Sequence, residues 1–288
     1  MQRMELHLRS SQLLNNLHFN FDTMTRNKKN RSLYLVILFF VLTSFTLIQL
    51  QNRKPTLFLI GDSTVRNGTK QIGNPLQGWG SFIGEEFDTT RISVKNLAMG
   101  GTSSRTFITG GLWDKVLAQV QPGDYVIMQF GHNDGGAYAD SSRSRGSIKG
   151  NGEDSLVINN VLLKRKETVH TYGWYLRKYV AETRAKGATP YICSLIPRNN
   201  WKDGKVARND NDYAKWAKEA AEMSNTGYIP LNQLIADKYD VIGKDSVAKF
   251  FPEPGPHTNA IGAIFNAKCV VDGLKAIKDC PLVKYLKK

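Results

Sequence analysis

The sequence predicts an α/β protein with three layers, α/β/α, built around a mainly parallel central sheet. Short apolar runs typical of buried parallel strands recur along the chain, and amphipathic helical stretches follow them. Such alternation favours right-handed crossovers that place helices on both faces of one sheet. Length agrees with this prediction, because about 235 of the 288 residues follow the N-terminal segment and suit one large domain.

Four apolar runs are the predicted strands, and five stretches with helical periodicity are the predicted helices. The strands are TLFLI (56–60), ISVKNLA (92–98), DYVIMQF (124–130) and TPYICSL (189–195). The helices are predicted at 113–120, 171–186, 210–225, 231–239 and 259–278. Ligands of open parallel sheets bind at the carboxyl ends of the strands. We therefore expect the functional residues in the segments that follow the strands.

The N-terminal segment predicts export. Residues 1–32 are basic and end in RNKKNR (26–31), which precedes the apolar run LYLVILFFVLTSFTLIQL at 33–50. A basic flank before an apolar core directs insertion with the flank left in the cytoplasm. The run is long for a signal-peptide core and short for a spanning helix, so a signal peptide and a signal anchor both stay open. We expect a periplasmic, extracellular or outward-facing membrane-anchored protein, with its globular domain at 51–288.

The chain is basic, with a formal net charge of +14. Residues 1–31 hold six basic and two acidic side chains, which is +4 and leaves +10 on the exported part. A basic surface attracts nucleic acid, an anionic membrane or an acidic polymer. Outside the cytoplasm nucleic acid is the weakest of the three, and no basic run interleaved with aromatic residues favours it. We expect an acidic polymer as partner, while membrane anchoring through 33–50 stays open.

Motifs for metals and cofactors are missing from the sequence. The three cysteines form no C-x-x-C pair, and there is no P-loop, no G-x-G-x-x-G after a strand and no H-E-x-x-H. No metal and no cofactor are therefore expected. Cys193 lies in a strand-like run and is expected in the core. Cys269 and Cys280 are close in sequence, and we expect them to pair after export.

Four polar motifs contain the candidate chemistry, and three of them follow a predicted strand directly. They are GDST (61–64), MGGT (99–102), GHND (131–134) and, near the C-terminus, PHTN (256–259). A serine becomes a nucleophile when an adjacent base takes its proton, and histidine does this near neutral pH. Each motif alone is also typical of a turn or a helix cap, so the inference depends on all four occurring in this order.

The ordered motifs resemble those of the SGNH/GDSL hydrolases. The phrases GDSTVRNG, QGWG, NLAMGGTSSRTF, GHND and HTNAIGA are similar to their rhamnogalacturonan acetylesterase branch, over about residues 56–285. The resemblance implies a flavodoxin-like fold, an acyl-enzyme on Ser63 and His257 as the general base. It also implies an oxyanion hole formed by the backbone N–H groups of Ser63 and Gly101 and the side-chain amide of Asn133.

One position departs from the family pattern. The family carries an aspartate three residues before the histidine, where its carboxylate orients the imidazole, and that position here is Pro254. Glu253, one residue earlier and one methylene longer, or a backbone carbonyl, is the expected substitute. Loss of the orienting charge in a serine-protease triad lowers kcat about 10⁴-fold. Both an active dyad-like enzyme and a weakened one are compatible with this sequence.

The resemblance implies removal of O-acetyl groups from a plant cell-wall polysaccharide, rhamnogalacturonan or pectin. An esterase acting on xylan or another acyl ester, and a catalytically weakened carbohydrate-binding homologue, are the alternatives. The candidate substrate-binding residues are Trp79, Arg105, His132, Arg143, Arg145 and Trp201.

Residues 135–170 interrupt the alternation of strands and helices. This segment is rich in glycine and serine and then contains VLLKRKETVH, which predicts a small hairpin. A loop of this length inside a compact domain is usually functional or disordered. Because it starts directly after Asn133, we predict that it forms one wall of a substrate cleft, with Arg143, Arg145 and Lys149 facing an acidic polymer.

Overall fold

The computed structural model describes residues 35–39, 53–68 and 75–288. The chain divides into two compact units, residues 1–53 and 54–288. In the first unit residues 35–39 form a short helix with exposed side chains, and the rest of the predicted apolar segment 33–50 lies outside the described residues. Within the described ranges, no helix combines the length and the apolar character that crossing a membrane requires.

The second unit is organised around one parallel sheet. The strands, in chain order, are β1 (Thr56–Gly61), β2 (Ser93–Asn96), β3 (Tyr125–Gln129), β4 (Ser155–Asn160), β5 (Arg165–His170), β6 (Thr189–Cys193), β7 (Trp201–Lys202), β8 (Lys205–Val206) and β9 (Gly227–Ile229). Five of them form the sheet in the order β2-β1-β3-β6-β9, and every neighbouring pair is parallel. The other four form two separate antiparallel hairpins, β4–β5 and β7–β8.

Seven α-helices surround this sheet in the described part of the second unit. They are α1 (Ser104–Thr109), α2 (Leu112–Leu117), α3 (Tyr172–Ala185), α4 (Tyr213–Met223), α5 (Leu231–Ile242), α6 (Lys244–Ala248) and α7 (Ala260–Ala276). Short 3₁₀ turns at Trp79–Ser81, Ile83–Glu86 and Val283–Tyr285 complete the unit.

Two separate apolar cores, one on each face of the sheet, establish the three layers. In β1, Leu57 and Leu59 pack with α5 and α7, whereas Phe58 and Ile60 pack with α1, α2, α3 and α4. Successive side chains of a strand point to opposite faces, so a strand apolar at every position must be covered on both sides. The predicted α/β/α architecture is confirmed. All four predicted strands and all five predicted helices are present, with ends that differ by a few residues.

The sequence patterns miss the shortest elements. Strand β9 has three residues, too few for a periodic pattern, yet Tyr191, Ile192 and Cys193 pair with it at the edge of the sheet. Helix α1 has six residues and begins with a capping box in which Ser103 and Thr106 bond each other's backbone. The predicted hairpin within 135–170 is present, as β4 and β5.

The three cysteines are free and buried, so the predicted Cys269–Cys280 disulfide is wrong. Cys269 lies on α7, which continues to Ala276 and carries the chain about 10 Å further along the helix axis. A disulfide needs Cα atoms about 4.4–6.8 Å apart. The Cys280 thiol instead lies 3.4 Å from the hydroxyl of Tyr191. Cys193 is in the core, as predicted.

Candidate active site

The four polar motifs meet at the carboxyl edge of the sheet. The segments after β1, β2 and β3 carry Ser63, Gly101 and Asn133, and the segment before α7 carries His257. All four residues line a single cavity of about 650 Å³. Parallel strands bring their carboxyl ends to one edge, which explains why motifs distant in sequence share this cavity.

A continuous line of hydrogen-bonding atoms joins Ser63, His257 and Glu253. Ser63 Oγ lies 2.9 Å from His257 Nε2, although the two residues are 194 positions apart. On the other side of the ring, His257 Nδ1 lies 2.7 Å from Glu253 Oε1. A nucleophile, a base and a group that orients the base are thus in direct contact. Glu253 occupies the position that the missing aspartate leaves open.

The loop that carries His257 is held against the segment before Trp79. Gln77 N–H donates to the carbonyl of Thr258 at 2.8 Å, and the Thr258 hydroxyl donates to the carbonyl of Gln77 at 3.0 Å. Asn259 then caps α7 by accepting a hydrogen bond from Gly262 N–H. His257 is therefore fixed from both sides, by a bridge to a distant loop and by the first turn of a helix.

The turn that carries Ser63 rests on a buried chain of hydrogen bonds. The indole of Trp79 donates to Gln129 at 2.8 Å, and the Gln129 amide donates to the Thr64 hydroxyl at 2.6 Å. That hydroxyl donates to Asp62 Oδ1 at 2.7 Å, and Thr64 N–H donates to the same oxygen at 2.8 Å. Burial raises the pKa of Asp62 to about 6, although the hydrogen bonds from Thr64 oppose this shift. The turn on both sides of Ser63 is thereby rigid.

The QGWG segment (77–80) is hydrogen-bonded to the same turn. The N–H groups of Gly78, Trp79 and Gly80 donate to the carbonyls of Arg66, Thr64 and Val65 at 3.0–3.1 Å. A Cβ atom at position 78 would lie 2.5 Å from the Arg66 carbonyl oxygen, so only glycine permits this approach.

The candidate oxyanion donors face the same cavity. Gly101 has φ +81°, a left-handed conformation that favours glycine. Among the described residues, no acceptor takes the backbone amide hydrogens of Ser63 and Gly101. Asn133 Nδ2 donates one hydrogen to the carbonyl of Thr102 at 2.8 Å, which fixes the amide and leaves its second hydrogen for a ligand. Three N–H groups are therefore available where an oxyanion would form.

Asp134, the residue after Asn133, holds this corner of the site together. Its carboxylate accepts hydrogen bonds from Ser104 N–H at 3.1 Å, from the Ser104 hydroxyl at 2.5 Å and from the Ser147 hydroxyl at 2.9 Å. Burial raises the pKa of Asp134 to about 6, and the bonds from the two serines oppose the shift. The carboxylate thus joins α1 and the 135–170 segment to the motif that carries Asn133.

Two of the predicted substrate-binding residues line the cavity, together with one arginine that was not predicted from the sequence. Arg143 and Arg145 come from the 135–170 segment, which forms part of the cavity wall as predicted, and Arg66 comes from the Ser63 turn. Lys149, expected beside them, instead lines a second cavity with Tyr138 and Tyr213. Arg66 lies three residues after Ser63, and this short distance in sequence is the feature that could have indicated a place beside the nucleophile.

Trp79 and Arg105 are predicted from the sequence to bind substrate, and this prediction is wrong. Both side chains are fully buried. Trp79 supports the Ser63 turn, as described above. The Arg105 guanidinium forms an ion pair with Glu167 at 2.7 Å, and it donates to the carbonyls of three residues of the 135–170 segment, Tyr138, Ser144 and Gly146. Neither side chain can reach a polymer.

His132 and Trp201 are not among the residues that line the cavity either. The ring nitrogens of His132 are buried without a hydrogen-bond partner among the described residues, and burial lowers the pKa of this histidine to about 3. It is therefore neutral at ordinary pH. The Trp201 indole donates to Asn199 at 2.7 Å and packs against the core beneath α5 and α7. A structural role fits both side chains better than substrate contact.

The comparison with known proteins decides the family. The model of the GDSL-like lipase/acylhydrolase family matches residues 59–262, which include all four motifs. The chain belongs to this family. It is accordingly a carboxylic ester hydrolase, as the sequence predicts.

Named relatives agree with this assignment, and a solved structure has a similar fold. The chain is 32% identical to a rhamnogalacturonan acetylesterase from Emericella nidulans over 72% of this chain and 80% of the relative. It is 28% identical to a Bacillus subtilis protein named probable rhamnogalacturonan acetylesterase YesY, over 77% of this chain and 93% of the relative. The crystal structure of B. subtilis YxiM superposes with a TM-score of 0.62 at 23% identity, covering 77% of this chain and 56% of that one.

Proposed function

We propose that this protein is an exported serine acetylesterase that removes O-acetyl groups from an acidic plant cell-wall polysaccharide, rhamnogalacturonan. The observation that carries the proposal is the Ser63–His257–Glu253 line, which opens into a cavity lined by Arg66, Arg143 and Arg145. The named relatives support the same reaction, since two of them carry the name rhamnogalacturonan acetylesterase.

The contacts support a two-step mechanism through an acetyl-enzyme. His257 Nε2 takes the proton of Ser63 Oγ as that oxygen attacks the acetyl carbonyl carbon. The N–H groups of Ser63, Gly101 and Asn133 stabilise the oxyanion of the tetrahedral intermediate. His257 then gives its proton to the departing sugar oxygen. In the second step His257 takes a proton from water as it attacks the acetyl carbon, the bond to Ser63 Oγ breaks, and His257 returns the proton to Oγ as acetate is released.

Glu253 has a defined part in this mechanism. Its carboxylate accepts the Nδ1–H of His257 and stabilises the imidazolium that forms in both steps. The contact of Glu253 with His257 supports an active esterase over the alternative of a weakened carbohydrate-binding homologue, which Pro254 motivated. The three arginines favour an acidic polymer over the neutral backbone of xylan.

Export and the domain division are part of the proposal. The basic flank at 26–31 and the apolar run at 33–50 support translocation of the domain at 51–288. We expect N-terminal sequencing of the exported protein to distinguish a cleaved signal peptide from a retained membrane anchor. Recovery of the active protein only from the cytoplasm would contradict export.

Acetate release by the full-length protein tests the reaction and the substrate. We expect turnover of 4-nitrophenyl acetate and of acetylated rhamnogalacturonan, with a higher kcat/KM on rhamnogalacturonan than on acetylated xylan. Ser63→Ala abolishes all three activities, because Oγ forms the acyl-enzyme. Lack of turnover on every ester would overturn the esterase, whereas a preference for xylan would overturn only the pectic substrate.

A further inference from the structure

Two guanidinium groups lie directly against the glycine pair that forms part of the candidate oxyanion hole. Arg145 Nη1 donates to the carbonyl oxygen of Gly101 at 3.0 Å. A Cβ atom at position 101 would lie 3.6 Å from that nitrogen, and one at position 100 would lie 3.3 Å from Arg66 Nε. Arg66 and Arg145 therefore contact two adjacent residues, Gly100 and Gly101, beside the nucleophile.

The described residues that line the cavity beside these groups carry positive charge. Arg66, Arg143 and Arg145 all line it, and its lining residues include no aspartate or glutamate. Elsewhere in the described part of the chain, Arg105, Arg177 and Arg208 form ion pairs. None of the three cavity arginines pairs with a described carboxylate, and Arg66 Nε is buried without an acceptor in the part of the chain that the structure describes. Burial, together with neighbouring Arg143, lowers the pKa of Arg145, while the negative charges of Asp140, Asp62 and Asp134 oppose this shift.

Such an arrangement suits an anion, because Arg66 and Arg145 are partly buried and line the cavity together. Burying a charged group without a partner is costly, and a guanidinium offers paired N–H donors that match a carboxylate. Ser63, Arg66 and Arg145 line one cavity, so an anion held by the two arginines would share that cavity with the carbonyl that Ser63 attacks. A uronate carboxylate of the polymer near the acetyl ester fits this site.

We propose that Arg66 and Arg145, with Arg143 at the rim, form a subsite for a uronate carboxylate of the polymer close to the acetyl ester. This inference rests on the proposed function and adds to it the group that the enzyme recognises. It makes free uronate a requirement for efficient deacetylation. Converting that carboxylate to a methyl ester removes its charge and its charge-assisted hydrogen bonds, and therefore weakens binding of the substrate. The reaction that removes methyl esters would then have to precede this one.

A matched pair of substrates isolates the contact. An acetylated, uronate-containing oligosaccharide is compared with the same oligosaccharide whose carboxylates are methyl-esterified. We measure kcat/KM on both for the full-length protein and for Arg66→Gln, Arg145→Gln and Lys115→Gln. Lys115 is an exposed lysine on α2 away from the cavity, so its variant removes one positive charge as the control. The readout is the ratio of free-acid to methyl-ester kcat/KM in each protein.

We expect the wild-type ratio to exceed ten, and each arginine variant to lower it about tenfold, because a charge-assisted contact is worth at least that factor. Lys115→Gln should leave the ratio unchanged. If the arginines only stabilise the oxyanion, each arginine variant lowers kcat/KM equally on both substrates. The ratio then stays at the wild-type value, and this result overturns the subsite. A wild-type ratio near one overturns it too, while deacetylation of both substrates would still support the esterase.

Discussion

At the scale of single residues, the contact between Glu253 and His257 explains how this chain can do without the family aspartate. The glutamate is four residues before the histidine and has one additional methylene, and its Oε1 reaches Nδ1 at 2.7 Å. Its side chain is 46% exposed, so water screens its charge. We therefore expect a positioning group that is useful but weaker than a buried aspartate.

Glu253→Gln tests this role. We expect kcat on 4-nitrophenyl acetate to fall about tenfold to a hundredfold with KM little changed, below the 10⁴-fold of a buried triad because the carboxylate is exposed. Glu222→Gln, an exposed glutamate on α4, is the matched control and should behave as wild type. An unaltered kcat in Glu253→Gln would mean that another group orients His257.

Pro254→Asp in the Glu253→Gln background tests rescue at the family position. Pro254 is exposed, so an aspartate fits there without displacing a core side chain. We expect the second substitution to recover a large part of the lost kcat, since a carboxylate is again next to the imidazole. A correctly folded double variant with no recovery, judged by circular dichroism, would show that the loop no longer accepts an aspartate in that role.

At the scale of elements, a buried ion pair holds the long insertion in place. Arg105, in the first turn of α1, pairs with Glu167 of β5 and donates to three carbonyls of the 135–170 segment. Glu167 also accepts a hydrogen bond from the Asn160 amide at 2.6 Å. One side chain thus ties the hairpin and the cavity wall to the helix that follows the Gly101 loop.

Arg105→Met should destabilise the fold by about 3–5 kcal/mol, because it leaves a buried carboxylate and several carbonyls without donors. Urea unfolding measures the loss. Glu167→Gln is the comparison. It keeps an oxygen acceptor for Arg105, so it should lower the free energy of unfolding by less than Arg105→Met. Equal losses in the two variants would mean that the charge of Glu167, and not the donors of Arg105, holds the segment.

At the scale of the whole molecule, buried carboxyl groups give the stability a definite pH dependence. Burial raises the pKa values of Asp62 and Asp134 from 3.8 to about 6. A carboxyl with a raised folded-state pKa binds its proton more tightly in the folded protein. Its contribution to stability is therefore fully present below about pH 3.8 and is lost as pH rises through about 6.

Asp134→Asn removes one of these two contributions. We expect its free energy of unfolding to decrease less between pH 4 and pH 6 than that of the wild type, by up to about 1.4 kcal/mol per pH unit. Urea unfolding at pH 4, 5, 6 and 7 measures the slopes, with Asp203→Asn in an exposed turn as the matched control. Identical slopes in wild type and Asp134→Asn would contradict the raised pKa.

The net charge of the part that we propose to be exported predicts a salt effect on turnover. Residues 32–288 carry +10, and a galacturonate-containing backbone carries regular carboxylates, so their attraction raises the encounter rate. Salt screens this attraction over about 10 Å at 0.1 M. We expect kcat/KM on acetylated rhamnogalacturonan to fall as salt rises, while the value on acetylated xylan stays nearly constant. Flat salt dependence on both polymers would show that the charge serves solubility or surface attachment only.

Local sequence patterns are sufficient to predict the layers of the fold and the edge of the sheet where the candidate site lies. The continuous apolar runs predict strands covered on both faces, and their alternation with helices predicts the layers. The strand-end positions of GDST, MGGT and GHND predict that Ser63, Gly101 and Asn133 share one edge. Burial and periodicity are properties of neighbouring residues, so a sequence records them directly.

The sequence by itself thus predicted the fold class, the resemblance to the family and four residues of the candidate active site, Ser63, Gly101, Asn133 and His257. Only the tertiary structure decided which polar side chains face inward and which partner each one finds. Trp79 and Arg105 look like sugar-binding residues but satisfy buried acceptors, whereas Arg66 faces the cavity. It also decided that Glu253 meets His257. Contacts such as these depend on the path of the chain through space, because hydrogen bonds form between atoms that the fold brings within about 3 Å.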